Sequence, residues 1–468
     1  MTAIREHRLR RRRIMAMSCP SPRAGARVAL IPPRHSPCHS AAQSHSHSQS
    51  QRRMPMMYTL PIQRLKEIAS HVVPGAVLGT VKEIRSTQLP RLYLLKMSDG
   101  RPLLLSITPR LSIRLLRHES TIMASEASLV YFLAQTTRRP VSPSPPASRA
   151  SSHDDDDDDD DDEEEFCSKS LQLSGLVPKI LQHSSNRKET PYPYSILEPT
   201  RGTPISLLAP PLSVTSRLSI DKQVGSFVRT LASIKSPNGN FGMANRVLPD
   251  PPSIKQSSTM PKLVGSETWS EAFNTLLEAI LRDGEDMSVL LPYETIRAHY
   301  RRLSWRLDAV KLPRLIIINV NQANVMVERT IEADELDGPI EEVTLTGLRN
   351  WSQGVFGDPL VSSCFESPSE EFLEGWIEGG DEVIEDEENK EGRLLLYQCY
   401  RAIVAIVTEY YRPQSDSSKR ELEGRRKLTS ALKELDELFN DEDEAIKRVR
   451  SMSMDILSAA KRQKLDEK

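Results

Sequence analysis

At 468 residues the chain is long enough for one two-lobed domain with tails, and 33 prolines against 9 phenylalanines place a substantial fraction outside any core. The formal net charge of −2 hides a strong segregation of basic and acidic segments, and nothing in the sequence resembles a nucleic-acid-binding module. No stretch approaches the roughly 18–20 apolar residues of a membrane span, and the five scattered cysteines form neither a metal pattern nor a disulfide set, so a reducing, cytoplasmic setting is expected.

Residues 1–57 carry one acid, Glu6, among many arginines that include Arg10 to Arg13, and continue through a His/Ser/Gln/Pro-rich stretch. Without apolar periodicity the segment is predicted to be disordered. A mitochondrial presequence would be Arg-rich too, but the tandem arginines and later prolines suit one poorly. A start at Met54, Met56 or Met57 is the competing expectation, because globular pattern begins at Tyr58.

Residues 58–135 begin that pattern. Pro74-Gly-Ala-Val-Leu-Gly79 sets two glycines before a predicted strand without completing G-x-G-x-x-G, and reads as a turn or a phosphate-covering loop. Leu92 to Ile107 predicts a hairpin turning at Asp99-Gly100, and Ser125 to Leu133 predicts a helix with Leu129, Phe132 and Leu133 on one face. Residues 136–170 interrupt the domain with Ser142-Pro-Ser-Pro-Pro and twelve consecutive carboxylates, Asp154 to Glu165. Such a run stays solvated and lacks the glycine and ligand spacing of a calcium loop. It is expected to be a spacer, or alternatively a docking site for a basic partner.

Residues 171–205 predict two further strands and a hinge, and Gln223 to Ile234 predicts the first helix of a larger segment, 206–376. Within it, Leu315-Ile-Ile-Ile-Asn-Val-Asn-Gln-Ala-Asn-Val-Met-Val327 brackets a polar loop with two apolar strands, and Leu345 to Pro359 adds a strand that ends in Asn350 before Trp351. An acidic linker (377–392) leads to C-terminal helices (393–440) with an apolar stripe of Leu395, Cys399, Ala402, Ile403, Ile406 and Tyr410, then a charged tail (441–468). The tail's Lys461-Arg-Gln-Lys464 reads as solvated, with nuclear import as the alternative. Trp269, Trp305, Trp351 and Trp376 are expected to be packing residues.

The order of these segments over roughly 60–376 resembles the aminoglycoside phosphotransferase family, small-molecule relatives of protein kinases. The resemblance implies a two-lobed, protein-kinase-like α+β fold, here in a degenerate member of fungal type. In the family a loop H-G-D-x-x-x-x-N precedes a strand ending I-D-W. Aligned on Asn324, the base position falls on Asn319 and the His position on Ile317; aligned on Trp351, the metal-binding Asp falls on Asn350. Asn324 retains the second metal position. Glu126 occupies the place of the Glu that pairs with a strand-three Lys, and that Lys position falls on Ser106, with Lys96 as a rival.

Those replacements bear on chemistry. Kinase-type transfer uses one Asp to orient the attacking hydroxyl and another to hold magnesium on the phosphates. An Asn amide is not basic, and its neutral oxygen is a weaker magnesium ligand. The expectation is a pseudokinase that binds or scaffolds an unknown small molecule or protein partner. The alternative is a phosphotransferase using ATP and Mg2+, with its acids supplied by Asp358 or by the stretch Glu332 to Asp337. No role with nucleic acid or membrane is expected.

Overall fold

The structure, a computed structural model, describes residues 61–84, 88–136, 173, 175–186, 188–251, 265–334, 338–380 and 382–438. The basic start at 1–57, the poly-Asp run and the tail at 441–468 lie outside the described residues.

The small lobe opens with α1 (Ile62–Val72), whose Leu65, Ile68 and Ala69 are buried at helical spacing. Gly75, at φ +84°, turns the chain into β1 (Leu78–Ile84), while Gly79 lies within that strand, at an irregularity in its register with the next. β2 (Arg91–Met97) and β3 (Pro102–Ile107) form the hairpin at Asp99-Gly100, with Lys96 opposite Pro102. After a 3-10 turn (Arg117–Thr121) and α2 (Ile122–Thr136), β4 (Ile180–Ser184) and β5 (Tyr194–Leu197) complete an antiparallel sheet in the order β1-β2-β3-β5-β4.

Side chains alternate across β3. Leu103, Leu105 and Ile107 join Leu65 and Ile68 of α1 in a compact small-lobe core. Ser106 points to the opposite face, where its hydroxyl donates to Met123 Sδ of α2 at 3.9 Å.

The large lobe follows: β6 (Thr203–Pro204), α3 (Val214–Ala232), β7 (Gly242–Met243), α4 (Ala244–Val247), α5 (Trp269–Asp286) and α6 (Tyr293–Leu307). Then come β8 (Arg314–Ile317), β9 (Val325–Asp334), β10 (Gly338–Leu348), β11 (Gly354–Gly357), α7 (Glu370–Glu378), α8 (Lys390–Tyr411) and α9 over 417–438. Two three-stranded ladders, β10-β9-β6 and β7-β11-β8, carry the loops between them. Ser213 caps α3 by accepting from the Ser216 N–H, and Thr268 caps α5 through the Glu271 N–H. α3 crosses α7 closely enough that a Cβ on Gly225 or Gly375 would strike backbone of the facing helix.

The fold is therefore two-lobed and α+β, with one core under the five-stranded sheet and a second, larger core in the helical lobe. α2 belongs to the larger core. Its Leu129, Val130 and Leu133 are buried there, and Phe132 meets Phe356 of β11 edge-on at 6.1 Å. The segment leading into α2 is bolted down as well. Glu119 accepts from both terminal nitrogens of Arg412 at 2.6 and 2.8 Å, and Asp283 accepts from the Arg117 backbone N–H at 2.9 Å.

Three sequence expectations need comment. Trp269, Trp351 and Trp376 are buried, but Trp305 is 56% exposed, with the Arg306 guanidinium over its ring. The α8 stripe is buried through Leu395, Cys399, Ala402, Ile403 and Ile406. The acidic linker at 377–392 is docked and not free: Val383 is buried, Glu385 accepts from the Lys311 and Leu312 N–H groups at 3.0 Å each, and Asp386 lies 3.5 Å from Arg393. Backbone donors and a buried guanidinium satisfy these acids. Among the described residues no helix is long and apolar enough to cross a membrane.

Candidate functional site

Two ladders place the site. β8 pairs with β11 (Ile317 opposite Gly354), and β9 pairs with β10 (Val325 opposite Leu348). The loop 318–324 joining β8 to β9 therefore lies beside the turn joining β10 to β11. Two backbone bonds fasten them: Arg349 N–H to the Asn324 carbonyl at 2.8 Å, and Ile318 N–H to the Gln353 carbonyl at 3.2 Å.

Asn319, Asn324 and Asn350 are thus brought together. Asn324 is buried; its Nδ2 donates to the Asn319 carbonyl at 3.3 Å, and its own N–H donates to the Asn321 carbonyl at 2.9 Å. Asn321 Oδ1 accepts from the Ala323 N–H at 3.0 Å, a loop-stabilising use of Asn. Asn350 takes the left-handed conformation (φ 64°, ψ 61°), and its Oδ1 accepts from the Ser352 hydroxyl. A non-glycine residue there is uncommon, although Asn tolerates it best. Trp351 locks the turn, 1% exposed, donating through its indole nitrogen to the Leu348 carbonyl and meeting Phe227 edge-on.

Glu126 reaches the same turn from α2. Burial pushes its carboxyl up to about 7, and the Trp351 backbone N–H it faces pulls only partly the other way. Among the described residues no basic side chain forms an ion pair with it. Ser106, on the β3 face toward α2, is buried and too short to do so, while Lys96 is exposed on β2 beside Thr80 and Pro102.

The raised Glu126 group makes stability depend on pH with a definite sign. Its folded form holds the proton more tightly than the unfolded chain, so the stability it supports is present below about pH 4 and is lost as pH rises through about 7. Glu126→Gln should accordingly gain about 2 kcal/mol over wild type at pH 8 and almost nothing near pH 4. Thermal melts across that range test this; a difference independent of pH would show that the carboxyl is solvated.

Neither alternative source of acid reaches the loop. Asp358 is fully buried, capping Pro359–Val361 through the Leu360 N–H at 3.0 Å. Its other oxygen meets Arg393 Nε at 3.0 Å and accepts from the Tyr397 hydroxyl at 2.7 Å, and Tyr397 in turn accepts from Trp269. Glu332 stands seven residues beyond Val325 along β9, on the order of 25 Å from Asn324, near the far end of the hairpin, and residues 335–337 lie outside the described residues.

The residues that the sequence resemblance aligned with a magnesium-ATP site do not suit one: Asn324 and Asn350 are neutral amides engaged in bonds of their own, Ser106 carries no charge, and burial raises the carboxyl of Glu126. Among the described residues no cluster of three His, Cys, Asp or Glu side chains could hold a metal.

Beside Asn319 opens a cavity of about 480 Å3, walled also by Gln353, Glu366, Gln398, Arg401 and Lys427. Glu366 is bracketed by Arg401 Nε at 3.2 Å and Lys427 Nζ at 2.9 Å, and these partners hold its carboxyl below the usual range against the pull of burial. Burial lowers the pKa of His118, also in the wall. Sequence reasoning missed this group. Its members come from β11's leading turn, the segment before α7, α8 and α9, and no local spacing unites them.

No family profile matches the sequence, and no curated protein matches it. Among solved structures, the chain is similar to a protein provisionally assigned as a fructosamine-3-kinase from Haemophilus somnus 129PT, with TM-score 0.47 and 13% identity over 78% of this chain and 97% of that one. It is similar also to a provisionally assigned aminoglycoside phosphotransferase from Ralstonia eutropha JMP134, with TM-score 0.48 and 10% identity over 80% and 98% of the two chains. A third is the macrolide 2'-phosphotransferase MphH from Brachybacterium faecium, with TM-score 0.42 and 13% identity over 77% and 97%.

Proposed function

We propose that this chain is a degenerate relative of the aminoglycoside-phosphotransferase type that binds a ligand or partner at the cleft and transfers no phosphoryl group. The single observation that supports the reading is the amide character of the loop: Asn319 and Asn350, which the sequence resemblance aligns with a base and a metal ligand, are both neutral, while Asp358 is held in a buried ion pair and Glu332 lies far along β9. General-base assistance alone is worth about 10²–10⁴ in rate, and metal charge stabilisation adds several kcal/mol. Loss of both leaves the clefted fold as a binding scaffold. A cytoplasmic, reducing setting belongs to the same proposal, and the free thiols of Cys364 and Cys399 suit it.

The test is the purified chain with ATP and magnesium. No magnesium-dependent rise in melting temperature is expected, and no ATP hydrolysis above that of an Asn324→Ala control. Nucleotide binding at a hundredfold excess over Kd would stabilise by about 2.7 kcal/mol, a shift easily seen. Turnover that Asn324→Ala abolishes would establish the phosphotransferase alternative.

A further inference from the structure

Of the four tryptophans, Trp305 alone stands exposed. It lies in the last turn of α6, and the Arg306 guanidinium sits 5.0 Å from its ring centroid. Arg301 and Arg302, four and three residues earlier, are exposed on the same side of the helix, since positions at that spacing share a face. Leu312, in the loop that follows, is exposed as well. A scattered surface aliphatic needs no explanation, but a solvent-facing tryptophan among guanidinium groups has the composition of an interface anchor.

The described chain ends beside this face. α9 advances along α6 in the same direction. Its Asp436 Oδ1 stands 3.4 Å from His299 Nε2, and two residues later Leu438 reaches Gly392, where an added Cβ would meet Leu438, Leu303 and Arg306 together. Leu438 therefore delivers the chain to the turn of α6 that carries Trp305. The residues that follow it are Phe439-Asn-Asp-Glu-Asp-Glu444, an aromatic side chain and then four consecutive carboxylates. Reach is ample. Six residues of extended chain span up to about 20 Å, whereas the rise of α6 from His299 to Trp305 is about 9 Å.

We propose that residues 439–444 dock back on the C-terminal end of α6, with Phe439 against Trp305 and the Asp441–Glu444 carboxylates on Arg301 and Arg302. The occupant follows from where α9 ends and from the match of charge. Exposed ion pairs are individually weak, but the tether holds the two surfaces at high effective concentration, and the aromatic contact adds apolar area. The docked segment also clasps α9, which supplies Lys427 and Ser430 to the wall of the cavity beside Asn319. None of this depends on whether the asparagine loop is catalytic.

Acrylamide quenching of tryptophan fluorescence is the test. The other three tryptophans are buried, and a Trp305→Phe variant isolates the Trp305 contribution by difference. In the full chain Trp305 should be shielded, and removal of residues 439–468 should raise its quenching constant about threefold or more. The full-length variant Asp441→Lys, Glu442→Lys, Asp443→Lys, Glu444→Lys should raise it likewise, and it decides alone if the shortened chain fails to fold. Shielding should be equal at about 1 and about 50 µM protein, because the contact is within one chain. Trp305 quenched equally in wild type and both variants, or shielding that survives the charge reversal, would overturn the proposal. Shielding that appears only on raising the protein concentration would overturn it too, by assigning the occupant to a second copy.

Discussion

Replacing Arg393 with Met is expected to destabilise the protein by about 3–5 kcal/mol, because it strands the buried Asp358 carboxylate without its cation. Asp358 is pushed upward by burial and held down by Arg393, the Tyr397 hydroxyl and the Leu360 N–H. Without Arg393 the carboxyl rises further and takes up a proton in the folded state. A carboxyl with a raised folded pKa loses stability as pH rises, so the defect should deepen from pH 5 to pH 8. The double variant Asp358→Asn with Arg393→Met should recover much of the loss, since no unpaired charge is then buried. Urea unfolding at both pH values provides the measurement. A single variant within 1 kcal/mol of wild type at pH 8 would mean that Asp358 finds water or another partner, and would reopen it as a group available for chemistry.

That network shows where sequence reading stops. The Asp99-Gly100 hairpin, the helix around Leu129 and the strand–loop–strand of Leu315 to Val327 were legible because each is a local pattern of turn residues and periodic burial. The partners of Asp358 were not legible: Arg393 and Tyr397 lie in α8, and only the docking of α8 on the large lobe brings them to it. The same reason hid the Glu366, Arg401 and Lys427 cluster, whose members sit on three separate segments. Glu332 misled: the sequence offers it as a source of acid for the loop, and it lies far along the β9-β10 ladder.

The proposed reading of Asn319 and Asn350 also yields the sharpest expected gain. If they stand at the base and metal positions, the double variant Asn319→Asp, Asn350→Asp should acquire magnesium-dependent nucleotide affinity above that of wild type, because it sets two carboxylates in a loop already shaped around Asn324. The geometry favours Asn350→Asp as the larger contributor. Its backbone already holds the left-handed turn at φ 64°, its side-chain oxygen already accepts from Ser352, and Asp tolerates that conformation nearly as well as Asn. Asn319 is different: its bond to Asn324 uses the backbone carbonyl, so the substitution leaves that contact intact while exposing a new charge to the cavity. Saturating Mg-ATP should then raise the melting temperature of the double variant by several degrees, corresponding to about 2–3 kcal/mol at a hundredfold excess over Kd. Adding Ser106→Lys sets a cation on the β3 face toward Glu126, where it should lower that carboxyl from about 7 and strengthen binding again. A double variant whose melting temperature ignores Mg-ATP, while its fold and its Trp351 turn remain intact, would mean that drift in this cleft extends beyond the two amides, and that restoring charge alone cannot rebuild a phosphate site.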